Sequence, residues 1–268
     1  RLYLREIGSI PLLTKENEQE ISQRMQDGRK RICIGVVRSL PTLDKLLDIV
    51  ECVKKGTRRL DVIMNTSPEN IKNERDAARF VSNLKRKIEK VKQKAAKAIE
   101  TLEKDAARAK DLFGKTGEEL YHIGFAPETI QEVANDLKRF AVKADRALKE
   151  KIRLQNLFNI TPRELEKLAS RSRHTDKTLL SLCRKSHKKK EEVQAEIDKL
   201  VFAQKVIGEI AERGDEINRL FRSIKIIRRG EKEAQRAKMD LVRANLRLVV
   251  SVAKGFRHRG VHLLDLIQ

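Results

Sequence analysis

Apolar residues recur along this chain at helical intervals, and they predict helices over most of its length. Between positions 81 and 102 the intervals alternate between three and four residues, the pattern of a helix that pairs with another helix. The residues of this seam are Val81, Leu84, Ile88, Val91, Ala95, Ala98 and Leu102. Similar stripes over 127–148 and 193–211 predict two more long helices, so the pattern favours an all-α fold.

Potential capping residues predict where several helices begin and end. Thr14 offers a hydroxyl N-cap and Gly28 a C-cap, so the first helix is expected between them and a second over 29–39. Thr161 and Glu164 have the spacing of a capping box, with a proline between them at the first helical position. These signals predict helices of moderate length separated by short connections.

Three segments contain residues that typically interrupt a helix. The stretch 114–127 begins with glycine and ends with proline, and it is expected to be a connection with only a short helical turn. The stretch 170–190 is rich in Lys, Arg, Ser and His, which is typical of a loop or of the basic end of a helix. Gly230 is expected to end one helix, and a final helix is expected over 231–256.

That final helix is apolar on nearly all sides, which predicts burial on nearly all sides. Arg243, Arg247 and Lys254 are the exceptions and lie along one stripe of the helix. A basic ridge of this kind either follows nucleic-acid phosphates or is an ordinary exposed face that pairs with acidic helices.

The net charge of the chain indicates what kind of partner it binds. Lys and Arg number 60 against 39 Asp and Glu, a net charge of +21, so a polyanion is the expected partner, with an acidic protein or anionic lipid as alternatives. The three cysteines have no metal-binding or redox spacing, and no apolar run is long enough to span a membrane. The first residues are charged, unlike a signal peptide, so a cytoplasmic protein is expected.

Motifs for enzymatic chemistry are weak in this sequence. The run from Gly114 to Thr116 resembles the end of a phosphate-binding loop, but Ala109 occupies the position where that loop needs its first glycine. His258, His262 and Asp265 have a conceivable zinc-ligand spacing, although structural or surface roles are favoured. We therefore expect neither an enzyme nor a bound metal or cofactor.

Two blocks of sequence carry a family resemblance. Residues 1–14, RLYLREIGSIPLLT, and the helix after them resemble the opening conserved block of bacterial primary RNA polymerase sigma factors. Residues 244–254, ANLRLVVSVAK, and 263–268, LLDLIQ, resemble the strongest block of the same family. Residues 65–229 match the large variable insertion of that family in position and helical character only.

The resemblance implies binding to promoter DNA, chiefly to the non-template strand. Tyr3, Leu4 and Arg5 match positions that contact the discriminator, the single-stranded stretch between the minus-ten element and the start site. A ring and an apolar side chain suit packing on an unstacked base, and arginine suits a phosphate or a guanine edge. The other residues implied to contact DNA are Glu18, Asn245 and Leu248, which match a pocket for a flipped base, together with Arg247 and Lys254.

The resemblance also implies a protein partner. Leu264, Asp265 and Gln268, joined by Leu246, match positions that contact the β′ clamp coiled coil of core RNA polymerase. Exposed apolar residues with an acid and an amide suit a helix that docks on a coiled coil. The chain ends at Gln268 inside this motif, so we expect a fragment of a longer sigma factor.

The expected organisation is a helical sigma-type domain with a large inserted array of long helices. Residues 1–64 form the discriminator-contacting block, 65–229 the insertion, and 230–268 a conserved helix that packs on 1–64 and starts the core-binding motif. A basic coiled-coil scaffold that binds nucleic acid without sequence preference is the alternative.

Overall fold

The structure, a computed structural model, describes residues 14–65, 74–170, 176–212 and 216–256. These residues are mainly helical, which confirms the all-α fold. In chain order the helices are α1 (Lys15–Val36), α2 (Leu40–Lys54), α3 (Leu60–Ile63), α4 (Glu74–Leu102), α5 (Ala106–His122), α6 (Pro127–Phe158), α7 (Pro162–Ser170), α8 (Asp176–Ser186), α9 (Lys190–Glu212) and α10 (Ile217–Gly255).

The larger hydrophobic core gathers α1, α2, α4, α5, the first half of α6 and the first turns of α10. The predicted seam of α4 is confirmed, because the apolar seam positions from Val81 to Ala98 are all buried. This seam packs on α5 and α2. Lysines beside the seam form ion pairs with the same neighbours, Lys92 with Asp44 of α2 and Lys94 with Glu119 of α5.

A second, smaller core lies at the far end of α6. Leu154 and Phe158 of α6 pack there with apolar residues of α7, α8 and α9. The predicted capping box opens α7: Thr161 N–H donates to Glu164 Oε2 at 2.8 Å, and Glu164 N–H donates to Thr161 Oγ1 at 3.4 Å. The long helix α6 therefore joins two cores, each with its own set of shorter helices.

The connection after α3 is tied to the turn between α5 and α6. Met64 and Phe125 form an isolated antiparallel β-bridge. Asn65 N–H donates to Gly124 carbonyl oxygen and Ala126 N–H donates to Ile63 carbonyl oxygen, both at 2.9 Å. These bonds satisfy backbone groups that would otherwise be buried unpaired, and they hold the α5–α6 turn close to the end of α3.

Two predicted helix ends at glycine are wrong. Gly28 lies inside α1 and Gly230 inside α10, and both helices continue for more than one turn beyond their glycine. Glycine disfavours a helix by only about 1 kcal/mol relative to alanine, so tertiary packing at these positions outweighs it. The boundary expected at 229/230 therefore falls inside a continuous helix.

The segment 114–127 is also more helical than predicted, whereas in 170–190 a helix with a basic last turn is found over Asp176–Ser186, in line with the helical alternative. Gly114 lies in the middle of α5, which continues to His122, and the break before it is at Asp105. Asp105 Oδ1 accepts hydrogen bonds from Ala107 N–H and Arg108 N–H, both at 3.0 Å, as an N-cap does. Most of the basic stretch is helix α8, which buries Leu179 and Leu182 in the second core.

The second half of α10 departs from the expected all-round burial. Val250 and Ala253 are buried, whereas Leu248 is 62% exposed and Val252 is 54% exposed. Helix α10 packs chiefly on α1, with a smaller contact on α6, so its remaining sides stay uncovered within the described part of the chain. No described helix combines the length and apolar character that crossing a membrane requires.

Candidate nucleic-acid interface

Helices α1 and α10 pack against each other in antiparallel orientation. Arg24 pairs with Asp240 at 3.1 Å, and Arg31 pairs with Glu233, so the partner number falls as the α1 number rises. All four side chains are substantially exposed, and exposed ion pairs contribute only about 0–1 kcal/mol each. The pairs therefore define the register, and packing must supply most of the stability.

The two helix backbones approach each other closely at a glycine on each helix. A Cβ atom added at Gly28 would lie 2.6 Å from Ala234 N and 2.8 Å from Gly230 O. A Cβ atom added at Gly230 would lie 2.6 Å from Gly28 O. Because these neighbours are backbone atoms, only glycine at both positions lets the two helices approach this closely. This crossing fixes the position of α1 relative to α10.

A cleft of about 660 Å³ lies along one side of the helix pair. Met25 and Arg29 of α1, Lys238 of α10, and the turn around Gly124 contribute to its lining. On the wall facing α6, Gln131 and Lys138 both donate hydrogen bonds to Glu231 of α10. Sequence analysis missed this cleft, because residues far apart in the chain build it and no local motif marks it.

The predicted residues Glu18 and Asn245 lie on the continuation of this same side. Glu18 precedes Met25 by seven residues and Asn245 follows Lys238 by seven, which is about two turns on each helix. Because the helices are antiparallel, both steps lead away from the cleft in the same direction. The register therefore brings Glu18 and Asn245 to neighbouring positions on one face, beyond the end of the cleft.

The exposure of these predicted residues differs. Glu18 is exposed, Asn245 and Leu246 are half-buried, and Leu248 is 62% exposed one turn after Asn245. An exposed carboxylate, an amide and an open leucine on one face are chemically able to contact an unstacked base by hydrogen bonds and apolar packing. Their role in DNA binding stays a prediction.

The other predicted contact residues are only partly covered by the structure. Arg247 and Lys254 belong to helix α10, but their side chains are not among those that the structure describes. The discriminator residues Tyr3, Leu4 and Arg5 and the core-binding residues Leu264, Asp265 and Gln268 lie outside the described residues. The zinc-like spacing of His258, His262 and Asp265 lies there as well.

A basic face lies away from the helix pair, on α4. Its exposed members are Lys85, Arg86, Lys87, Lys90, Lys94 and Lys97. Lys94 is paired with Glu119, and Lys85 lies 3.9 Å from Glu51. A partly neutralised face of this kind is typical of a solvated helix surface and of non-specific phosphate contact alike. Across the described ranges, no group of three or more His, Cys, Asp or Glu side chains is arranged to hold a metal ion.

Comparison with protein families adds an independent finding. Residues 1–31 match the family model of sigma-70 factor, region 1.2. The described half of this match is the first part of α1, up to the residue that pairs with Glu233. The match supports the assignment of this chain to the sigma-70 family, and with it a role in transcription initiation. That family consists of transcription factors rather than enzymes, and its general partners are RNA polymerase core and promoter DNA.

Proposed function

We propose that this chain is part of a primary-type sigma factor that binds core RNA polymerase and reads single-stranded promoter DNA at the minus-ten and discriminator positions. The carrying observation is the antiparallel packing of α1 on α10, together with the region 1.2 match that ends inside α1. This packing supports a single DNA-reading face built from residues more than two hundred positions apart.

Within this proposal, Glu18, Asn245 and Leu248 hold a flipped base. Leu248 supplies apolar surface for the base, and the Asn245 amide offers both a donor and an acceptor to its edge. The Glu18 carboxylate accepts hydrogen bonds from exocyclic amino groups. Tyr3, Leu4 and Arg5 contact the adjacent discriminator bases, and Arg247 and Lys254 bind phosphates.

The polymerase contact is proposed at the same end of α10 as the base pocket and in the segment that follows the helix. Leu246, Leu264, Asp265 and Gln268 dock on the β′ clamp coiled coil. Leu246 lies next to Asn245 in α10, so the polymerase contact and the base pocket share one helix. In this arrangement core binding also orients the DNA-reading residues.

The test measures binding of a labelled single-stranded oligonucleotide to the complex of the full chain with polymerase core. Two oligonucleotides carry the same composition, one with a promoter sequence through the minus-ten and discriminator stretch and the other shuffled. We expect the chain to prefer the promoter sequence. Asn245→Ala should lower that preference roughly tenfold, since a base-specific bidentate contact is worth about 1–3 kcal/mol. Glu20→Ala, on another side of α1, should leave it unchanged.

The same complexes report core binding through co-elution. Replacing both Asp265 and Gln268 by Ala should weaken co-elution with polymerase core, whereas Glu192→Ala, an exposed acid on α9, should not. Equal affinity for both oligonucleotides, with a steep fall at higher salt, would instead favour the basic scaffold. Unchanged co-elution of the Asp265 and Gln268 variant would remove the docking assignment.

A further inference from the structure

An arginine is nearly buried at the point where α1 ends. Arg38 is 8% exposed, and its guanidinium carbon lies 4.3 Å from the centroid of the Phe113 ring. Its Nε is buried and donates no hydrogen bond to any described group. Within the described ranges, Arg38 has no acidic partner, although a buried charge normally requires one.

Two more arginines lie close to Arg38, on the first turns of α10. The close packing of Gly35 on Ser223, where an added Cβ would lie 3.1 Å from the Ser223 oxygen, brings the end of α1 beside this part of α10. Arg219 is buried and Arg222 is exposed. Burial lowers the pKa of Arg38, and the positive charges of Arg222 and Arg219 lower it further.

The contact with Phe113 does not balance the buried charge of Arg38. A cation over an aromatic ring is stabilised less than a buried ion is penalised by loss of water. Stacking on the ring face uses none of the guanidinium N–H groups, and the buried Nε has no acceptor among the described residues. Guanidinium groups that lie close together suit the oxygen atoms of a multiply charged oxyanion, above all a phosphate group.

We propose that Arg38 and Arg222 form a phosphate-binding site at the junction of α1 and α10. Arg222, being exposed, is at the entrance, and Arg38 is the inner ligand held flat by Phe113. The phosphate group comes either from a free phosphorylated small molecule or from a nucleic-acid backbone. The site is separate from the proposed base pocket, which lies at the opposite end of the α1–α10 pair.

The experiment titrates inorganic phosphate into the full chain and follows thermal unfolding, with sodium chloride adjusted to hold the ionic strength constant. Wild-type protein should show a saturable rise in melting temperature, because a ligand that binds only the folded state stabilises it. Arg38→Met keeps the apolar stem and removes the charge, and it should raise the phosphate concentration at half-effect by roughly tenfold or more. Arg228→Met, an exposed arginine elsewhere on α10, is the matched control and should behave as wild type.

Two variants decide whether the proposed phosphate site exists. Without phosphate, Arg38→Met should melt no lower than wild type, since it removes a buried charge that lacks a partner. If Arg38→Met does not fold, Arg222→Met carries the test, because that side chain is exposed and should also weaken the phosphate effect. The proposal is overturned if phosphate does no more than chloride at equal ionic strength, or if both variants respond as wild type does.

A second measurement identifies the source of the phosphate group. Binding of labelled single-stranded DNA is compared between wild type and Arg38→Met, with and without saturating inorganic phosphate. Displacement of DNA from wild type alone assigns the site to a nucleic-acid backbone, whereas identical DNA binding by both proteins assigns it to a free phosphorylated molecule. The phosphate titration needs neither polymerase nor promoter, so its failure leaves the sigma-factor proposal untouched.

Discussion

The close backbone approach of α1 and α10 at Gly28 leads to a quantitative prediction for Gly28→Ala. In the interior of a helix this change is intrinsically favourable by roughly 0.8–1.0 kcal/mol. Here, however, the new Cβ would lie 2.6 Å from Ala234 N and 2.8 Å from Gly230 O. Ordinary contact of a carbon atom needs about 3.5 Å or more, so the helices must move apart at their crossing.

The magnitude follows from these two opposing effects. Overpacking a well-packed interface typically costs about 1–3 kcal/mol, and separation of rigid helices belongs to the upper part of that range. Subtracting the propensity gain of roughly 1 kcal/mol leaves a net destabilisation of about 1–2 kcal/mol. Gly230→Ala should act in the same direction, since its Cβ would lie 2.6 Å from Gly28 O.

Two other helical glycines provide matched controls. A Cβ atom added at Gly114 in α5, or at Gly208 in α9, would meet nothing within 4 Å. Only the propensity term remains at these positions, so Gly114→Ala and Gly208→Ala should stabilise the protein by roughly 0.5–1 kcal/mol. The same substitution is thus expected to have opposite signs at different glycines.

The assay is urea unfolding followed by far-ultraviolet circular dichroism, which gives the free energy of unfolding. Amide hydrogen exchange localises the effect, because protection should fall first in α1 and in the part of α10 that faces it. If Gly28→Ala stabilises the protein as much as Gly114→Ala does, the close crossing is wrong. A uniform loss of protection over both cores would also contradict it.

Two further predictions concern titratable groups away from the helix pair. Burial raises the pKa of Glu196, but hydrogen bonds from Arg153 and Lys188 outweigh it and lower the pKa from its ordinary 4.5 to about 2. The ionised Glu196 carboxylate should therefore contribute its full stabilisation of the second core above pH 4.5, and this contribution should be lost as the pH falls towards about 2. Over the same pH range, the melting temperature of Glu196→Gln should fall less than that of the wild type. Burial raises the pKa of the Cys33 thiol to about 12. Iodoacetamide at neutral pH should therefore modify half-buried Cys52 in the folded protein and leave Cys33 unmodified, as measured by peptide mass mapping. Equal labelling of the two cysteines would contradict the burial of Cys33.

Local patterns in the sequence were enough to predict the main helices. The seam of α4 was predictable because its spacing depends on helical geometry alone and does not depend on which helix packs against it. The capping box at Thr161 and Glu164 was readable for the same reason, since its hydrogen bonds join residues three positions apart. The cap at Asp105 was not predicted, because glycine at position 114 is the stronger local signal for a helix break.

Glycine was misread where its role depends on a distant neighbour. Gly28 and Gly230 look like helix ends in the sequence, yet each admits the backbone of the other helix. No local signal distinguishes a glycine that ends a helix from one that permits close packing. The residues of the candidate site were predicted from family resemblance and stay a prediction, whereas the neighbouring placement of Glu18 and Asn245 required the register of two helices.

Sequence patterns alone established that the chain is helical, strongly basic and similar over residues 1–31 to region 1.2 of sigma-70 factors, because propensity, charge and motif belong to short stretches of chain. Only the tertiary structure decided that α1 and α10 cross at paired glycines, that one long helix joins two cores, and that Arg38 is buried beside Arg219 and Arg222. These features depend on contacts between residues far apart in the chain, and such contacts form only when the whole set of helices packs together.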